Sequence, residues 1–145
     1  MSRFVDDTLS EAAPAASTTK LGTDIVSGLE KAQSLTLVAT LTGCAGGTLD
    51  VYVQTSFDEG VSWVDLVHFA QVSTGAAAAS FALHLSRAAS VVVPVSVGLD
   101  GTPLLAVNTT LGGAWGNQLR MVLKTGVGTL TTPTQTVRAI GHFTD

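Results

Sequence analysis

From residue 34 onward, apolar and polar residues alternate with a period of two. In the run 34–41, Leu35, Leu37 and Leu41 share one face. The run 48–55 is the clearest: Leu49, Val51 and Val53 point one way, Asp50, Tyr52 and Gln54 the other. This is the pattern of a half-buried strand. Residues 63–71 set Trp63, Asp65, Val67 and Phe69 against Val64, Leu66 and His68, and residues 80–85 set Phe81, Leu83 and Leu85 against Ala82 and His84. Residues 118–124 alternate Leu119, Met121 and Leu123 with Arg120, Val122 and Lys124, and 134–143 read as a closing strand. The run 90–97 is largely apolar and β-branched, as a strand covered on both faces would be, and 104–110 reads as a weaker strand.

Turn chemistry separates these runs, in 42–47, 98–103 and 126–133. No segment joins a helical period to a cap and adequate length, and the alanines at 76–79 are too few for a helix on their own. Short strands at spacings near ten residues, without helices, predict an all-β chain. The expectation is a single antiparallel β-sandwich over residues 20–145, jelly-roll-like in its wiring. Residues 1–19 read differently. From Ser10 to Thr19 no side chain is both large and apolar, so burial offsets little of the entropy of ordering it. The expectation is a flexible N-terminal arm for assembly, with Phe4, Val5 and Leu9 as its anchors.

Between two of the predicted strands lies Ser56-Phe57-Asp58-Glu59-Gly60-Val61-Ser62-Trp63, which reads S-x-D-x-G-x-x-W. It resembles the Asp-box hairpin of sialidases and many other β proteins. An aspartate at that position accepts hydrogen bonds from amides of its own turn. Gly60 suits a positive φ, Ser56 bonds across the turn mouth, and Trp63 is expected to plug the loop to the core. The resemblance implies a structural staple made by Ser56, Asp58, Gly60 and Trp63, with no catalytic role.

Charge alters the picture. Only 12% of residues are charged, against 46% hydrophobic, and the formal net charge is −4. A typical soluble domain carries about 25% charged residues, so part of this surface is expected to be covered by other chains. The seven basic residues are scattered, which argues against direct nucleic-acid binding and against a polybasic membrane contact. One cysteine, Cys44, allows no internal disulfide. Asp6, Asp7 and Glu11 occupy the place of a signal peptide's apolar core. His68, His84 and His142 stand apart in sequence, no metal-ligand spacing is present, and no nucleophile elbow or P-loop occurs. The expectations are no catalytic residues, no metal, no cofactor and no enzyme.

Segments 49–56, 63–69, 115–122 and 136–143 resemble short virion proteins of tailed bacteriophages encoded near capsid and head–tail joining genes. The resemblance implies a compact β module, made in the host bacterial cytoplasm, assembled in many copies, and located in the virion. Its implied partners are the major capsid protein, other virion proteins and its own copies. Three functions fit: a capsid decoration or cement protein, a head–tail connector or tail component, and a carbohydrate-binding host-attachment module. The last requires exposed aromatic platforms, for which Trp63, Trp115 and Tyr52 are the candidates.

Overall fold

The computed structural model describes residues 2–15, 17–42, 47–72, 79–87, 96–127 and 133–144. Among these residues there are strands and no helix: β1 (Ser2–Ala12), β2 (Thr19–Ser27), β3 (Ser34–Leu41), β4 (Leu49–Ser56), β5 (Val64–His68), β6 (Ala79–Ser86), β7 (Thr109–Thr110), β8 (Gln118–Thr125) and β9 (Thr134–Thr144). They form two antiparallel sheets, in the orders β1-β9-β3-β6 and β2-β8-β4-β5-β7. The chain changes sheet at every connection except β4–β5 and β7–β8. The architecture is a β-sandwich.

The period-two faces meet between the sheets. Leu35, Leu37, Ala39 and Leu41 from β3 pack with Val137, Ala139 and Phe143 from β9, against Leu49, Val51 and Val53 of β4 and Leu119, Met121 and Leu123 of β8. Each fully buried leucine contributes about 1.5–3 kcal/mol by leaving water. Trp115, in the connection before β8, belongs to this core. Its ring carries the Arg87 guanidinium at 4.2 Å. Arg87 donates to the carbonyls of Ala32, Trp115, Leu29 and Glu30 and so ties three connections together.

The expected arm takes another form. Residues 2–12 are edge strand β1, paired with β9 in unbroken register from Ser2↔Thr144 to Ala12↔Thr134. Leu9 is fully buried in the core, Val5 packs against it, and Phe4 stays exposed. The backbone ladder supplies what side-chain burial does not. The alternation was masked because inward-facing Glu11 is polar: its Oε1 accepts the amides of Thr23 (2.7 Å) and Asp24 (3.0 Å). Those amides sit in the bulge of β2, between Leu21 and Ile25. Beyond β1, the Ala13 amide donates to Pro133 O and the Ser17 amide to Gly126 O.

β2 has no clean alternation, and only its Val26 is buried. Gly22 is required there, since a Cβ would lie 2.5 Å from Met121 O. The weak strand predicted over 104–110 shrinks to Thr109–Thr110, because the amides of Leu104 and Leu105 donate to a side chain instead. Of the predicted strand at 90–97, residues 90–95 lie outside the described residues, as does Cys44, and Ser96 and Val97 are not in a strand.

Candidate functional site

Several buried polar side chains, among them Gln54, Asp65 and His68, lie on β4 and β5 of the β2-β8-β4-β5-β7 sheet. The β4–β5 hairpin forms one end. Ser56 Oγ donates to Asp58 Oδ1 (2.9 Å) and accepts the Gly60 amide (2.8 Å). Asp58 also accepts the Ser62 amide (2.9 Å) and the Ser62 hydroxyl (2.6 Å). The Ser62 donors, then Ser56, stabilise the anion and pull the Asp58 carboxyl down to about 2. Glu59 and Gly60 both take positive φ, at 58° and 90°. At the hairpin base, Gly116 has no room for a side chain, as a Cβ would lie 2.0 Å from Ser56 O.

Trp63 is buried, and its Nε1 donates to Gly60 O (3.2 Å). It lies under the Arg120 guanidinium, 4.5 Å from the ring centroid, and is not part of the inter-sheet core. The staple therefore closes the outer face, and the core plug is Trp115. Ser56, Asp58, Gly60 and Trp63 do come together as one turn.

Asp65 is the hub of the face. It is 0% exposed. Its Oδ2 accepts the amides of Gly98 (2.7 Å), Leu104 (2.8 Å) and Leu105 (2.8 Å), and its Oδ1 accepts Gln54 Nε2 (3.0 Å). Gln54 Oε1 in turn accepts from Arg120 Nε and Nη2, and Arg120 Nη2 also donates to Asp100 O. Asp100 accepts the Trp63 amide. This network pins the segment 98–105 to β4, β5 and β8, and Tyr52, Leu105 and Val122 are buried.

A second cluster flanks the segment. His68 Nδ1 meets Leu105 O at 2.7 Å, and Nε2 meets Asp50 Oδ1 at 2.9 Å. Its ring stacks on Tyr52 at 3.9 Å. Burial raises the Asp50 carboxyl, but hydrogen bonds from His68 and Gln71, with the charges of His68 and Lys124, bring it below its ordinary value. Burial, then the charges of Asp50 and Asp65, push the Tyr52 phenol up to about 12.

The chemistry of this arrangement is positional. Asp65 has a donor on each oxygen, and Asp50 and Asp65 hold separate partners instead of forming an acid–base pair. The histidines are apart: His84 Nδ1 meets the Thr36 hydroxyl at 2.9 Å, and His142 lies beside Phe4. Among the described residues, no group of three His, Cys, Asp or Glu side chains is placed to hold a metal ion. The arm anchors separate too, with Leu9 in the core and Phe4 on the surface. The sequence alone sets Asp65 near Asp50 on a neighbouring strand but does not reveal the anchoring roles of Asp65, Gln54, Arg87 and Arg120. One signal was present: an aspartate on an apolar strand face must find donors if buried.

No family model matches the chain. No curated protein sequence matches it. One similar solved structure is described as Bacillus endospore appendages that form a novel family of disulfide-linked pili. That chain has a TM-score of 0.49 and 11% identity, over 99% of this chain and 92% of its own length. Another comes from the structure of infectious bursal disease virus Gx strain, with a TM-score of 0.35 and 9% identity, over 98% of this chain and 33% of that one. Both scores lie below 0.5, and neither likeness assigns a function.

Proposed function

We propose that this chain is a non-enzymatic structural protein of a virus particle: a capsid decoration, or cement, protein of a tailed bacteriophage that packs on the major capsid shell. The observation that carries the reading is how apolar and charged groups are distributed. Large apolar side chains stand on the surface, among them Phe4, Leu21, Ile25, Phe57, Leu99 and Leu104. Meanwhile Asp65, Glu11, Arg87 and Arg120 are engaged in holding connections. A chain with 12% charged residues that commits several of them internally presents an unusually apolar exterior, suited to contact with other proteins.

Numbered without β7, the sheets run 1-8-3-6 and 2-7-4-5, and we read that wiring as a jelly roll. The partners in this reading are the major capsid protein and further copies of the chain, and the location is the virion, after synthesis in the bacterial cytoplasm. The carbohydrate-binding alternative loses its platforms, because Trp63, Trp115 and Tyr52 are all buried. The test is a titration of purified protein onto capsids that lack it, followed by co-sedimentation and thermal disruption of the particle. The reading predicts saturable binding and a raised disruption temperature. Capsids that bind none of the protein would overturn it.

A further inference from the structure

His68 holds two acceptors at once. It lies buried at the end of β5, with Nδ1 2.7 Å from Leu105 O and Nε2 2.9 Å from Asp50 Oδ1. A backbone carbonyl only accepts, so Nδ1 needs a proton to bond Leu105. A carboxylate only accepts, so Nε2 needs one to bond Asp50. Neutral imidazole has a single N–H, whereas the imidazolium has two. A ring turned over would set carbon atoms against both acceptors. Asp50 is placed as an ionised partner: its Oδ2 accepts Gln71 Nε2 at 3.0 Å, and it stands opposite Lys124 in the β4–β8 register.

The other groups around the ring leave this pairing as its main electrostatic contact. From β4 come Asp50 and Tyr52, whose ring stacks on His68 at 3.9 Å. β8 supplies Lys124 beside Asp50. On β5 itself, Asp65 is occupied by the amides of Gly98, Leu104 and Leu105 and by Gln54. In the segment 98–105 the charged residue is Asp100, which is turned to the Trp63 amide. β7 sets Thr109 opposite His68, and the β6 residues that share a groove with it are Phe81, Ala82 and Leu83, none of them titratable.

We propose that His68 is a proton-dependent latch on the segment 98–105: as the imidazolium it ties Leu105 to Asp50, and loss of one ring proton frees Leu105. The partners decide which proton goes. A hydrogen bond to a carboxylate is roughly twice as strong as one to a neutral carbonyl, so the neutral ring keeps its N–H at Nε2. The Nδ1 lone pair then faces Leu105 O, and two acceptors 2.7 Å apart repel. The latch is closed below the pH at which the ring sheds a proton and opens above it. Leu99 and Leu104, both exposed, ride on this segment, so the latch sets how that apolar surface is presented. It acts within the isolated chain and does not depend on the capsid reading.

The test is NMR of the full chain labelled with nitrogen-15. Ring-nitrogen shifts of His68 are followed from about pH 5 upward until the ring loses a proton, with His84 and His142 as internal controls. Hydrogen exchange, corrected for intrinsic rates, is measured at the same pH values. The expected result is protons on both nitrogens at the acidic end, then loss from Nδ1 with Nε2 still protonated. Protection of the Gly98, Leu104 and Leu105 amides should fall about tenfold or more with the same midpoint, as loss of a hydrogen bond to a charged group implies, while the β1–β9 ladder is unmoved. His68→Gln, which carries no titrating proton, should show the lowered protection at every pH. The wild-type titration needs no variant, and circular dichroism checks that His68→Gln folds. A folded His68 with one ring proton at the acidic end, a neutral form protonated at Nδ1, or three amides indifferent both to the His68 titration and to His68→Gln would overturn the inference.

Discussion

Replacing Asp65 by alanine removes one acceptor group from four donors. Two of the donors, the amides of Gly98 and Leu105, lie in buried hydrogen bonds, and the Leu104 amide is partly accessible. A buried amide left without an acceptor costs about 1–3 kcal/mol. Two of them set a loss of about 2–6 kcal/mol, partly offset because a buried carboxylate no longer needs desolvation. The expected net loss for Asp65→Ala is about 3–4 kcal/mol, or a fall in Tm of about 6–16 °C for a domain of this size. Asp65→Asn is a sharper probe. One amide oxygen can keep the three backbone donors, but its nitrogen then faces Gln54 Nε2, and Gln54 cannot turn over without losing Arg120. A single mismatch of that kind costs about 1–2 kcal/mol. Urea unfolding gives both values, and hydrogen exchange reports whether the Gly98 and Leu105 amides lose protection. If Asp65→Ala shifted stability by less than about 0.5 kcal/mol with those amides still protected, the hub would not hold the segment.

Other expectations follow from the same structure. Leu9→Ala should cost about 2–5 kcal/mol in chemical denaturation, and deletion of residues 2–12 should cost more; a deletion that leaves stability unchanged would show that β1 does not belong to the folded sheet. Asp58 titrates at about 2 in the fold, below its unfolded value near 3.9, so its contribution to stability is present above about pH 4 and is lost as pH falls through 4 toward 2. An NMR titration should show this, with Ser62→Ala moving the Asp58 midpoint upward; an unmoved midpoint would refute the assigned donors. Affinity for capsids should change less than about tenfold between low and physiological salt, because an apolar contact is weakly screened, whereas a steep negative slope would indicate charge neutralisation.

The two sheets were legible wherever a strand buries one face against the core. β3, β4, β8 and β9 alternate because that burial is regular, and their predicted bounds fall within two residues of those observed. β1 and β2 were not legible. Glu11 occupies an inward position on β1 to satisfy a bulge in β2, and the bulge breaks the alternation on the other strand. Each irregularity explains the other, but only once the two strands are side by side. The hairpin staple was legible as local chemistry, since Ser56, Asp58, Gly60 and Ser62 need only each other. The depth of Trp63 was not, because it depends on Arg120 from β8 and on Asp100 from the pinned segment. The role of Asp65 was hidden for a similar reason: its three backbone donors lie 33 to 40 residues away along the chain.

The decoration reading stands or falls on how many copies of this chain a particle holds. Under the proposed reading, quantitative mass spectrometry of purified phage virions measures that number against the major capsid protein. A decoration protein is predicted at hundreds of copies per particle, comparable with the shell's own repeating units. Six or twelve copies would move the protein to a connector or tail ring, and virions without the chain would contradict a structural role altogether.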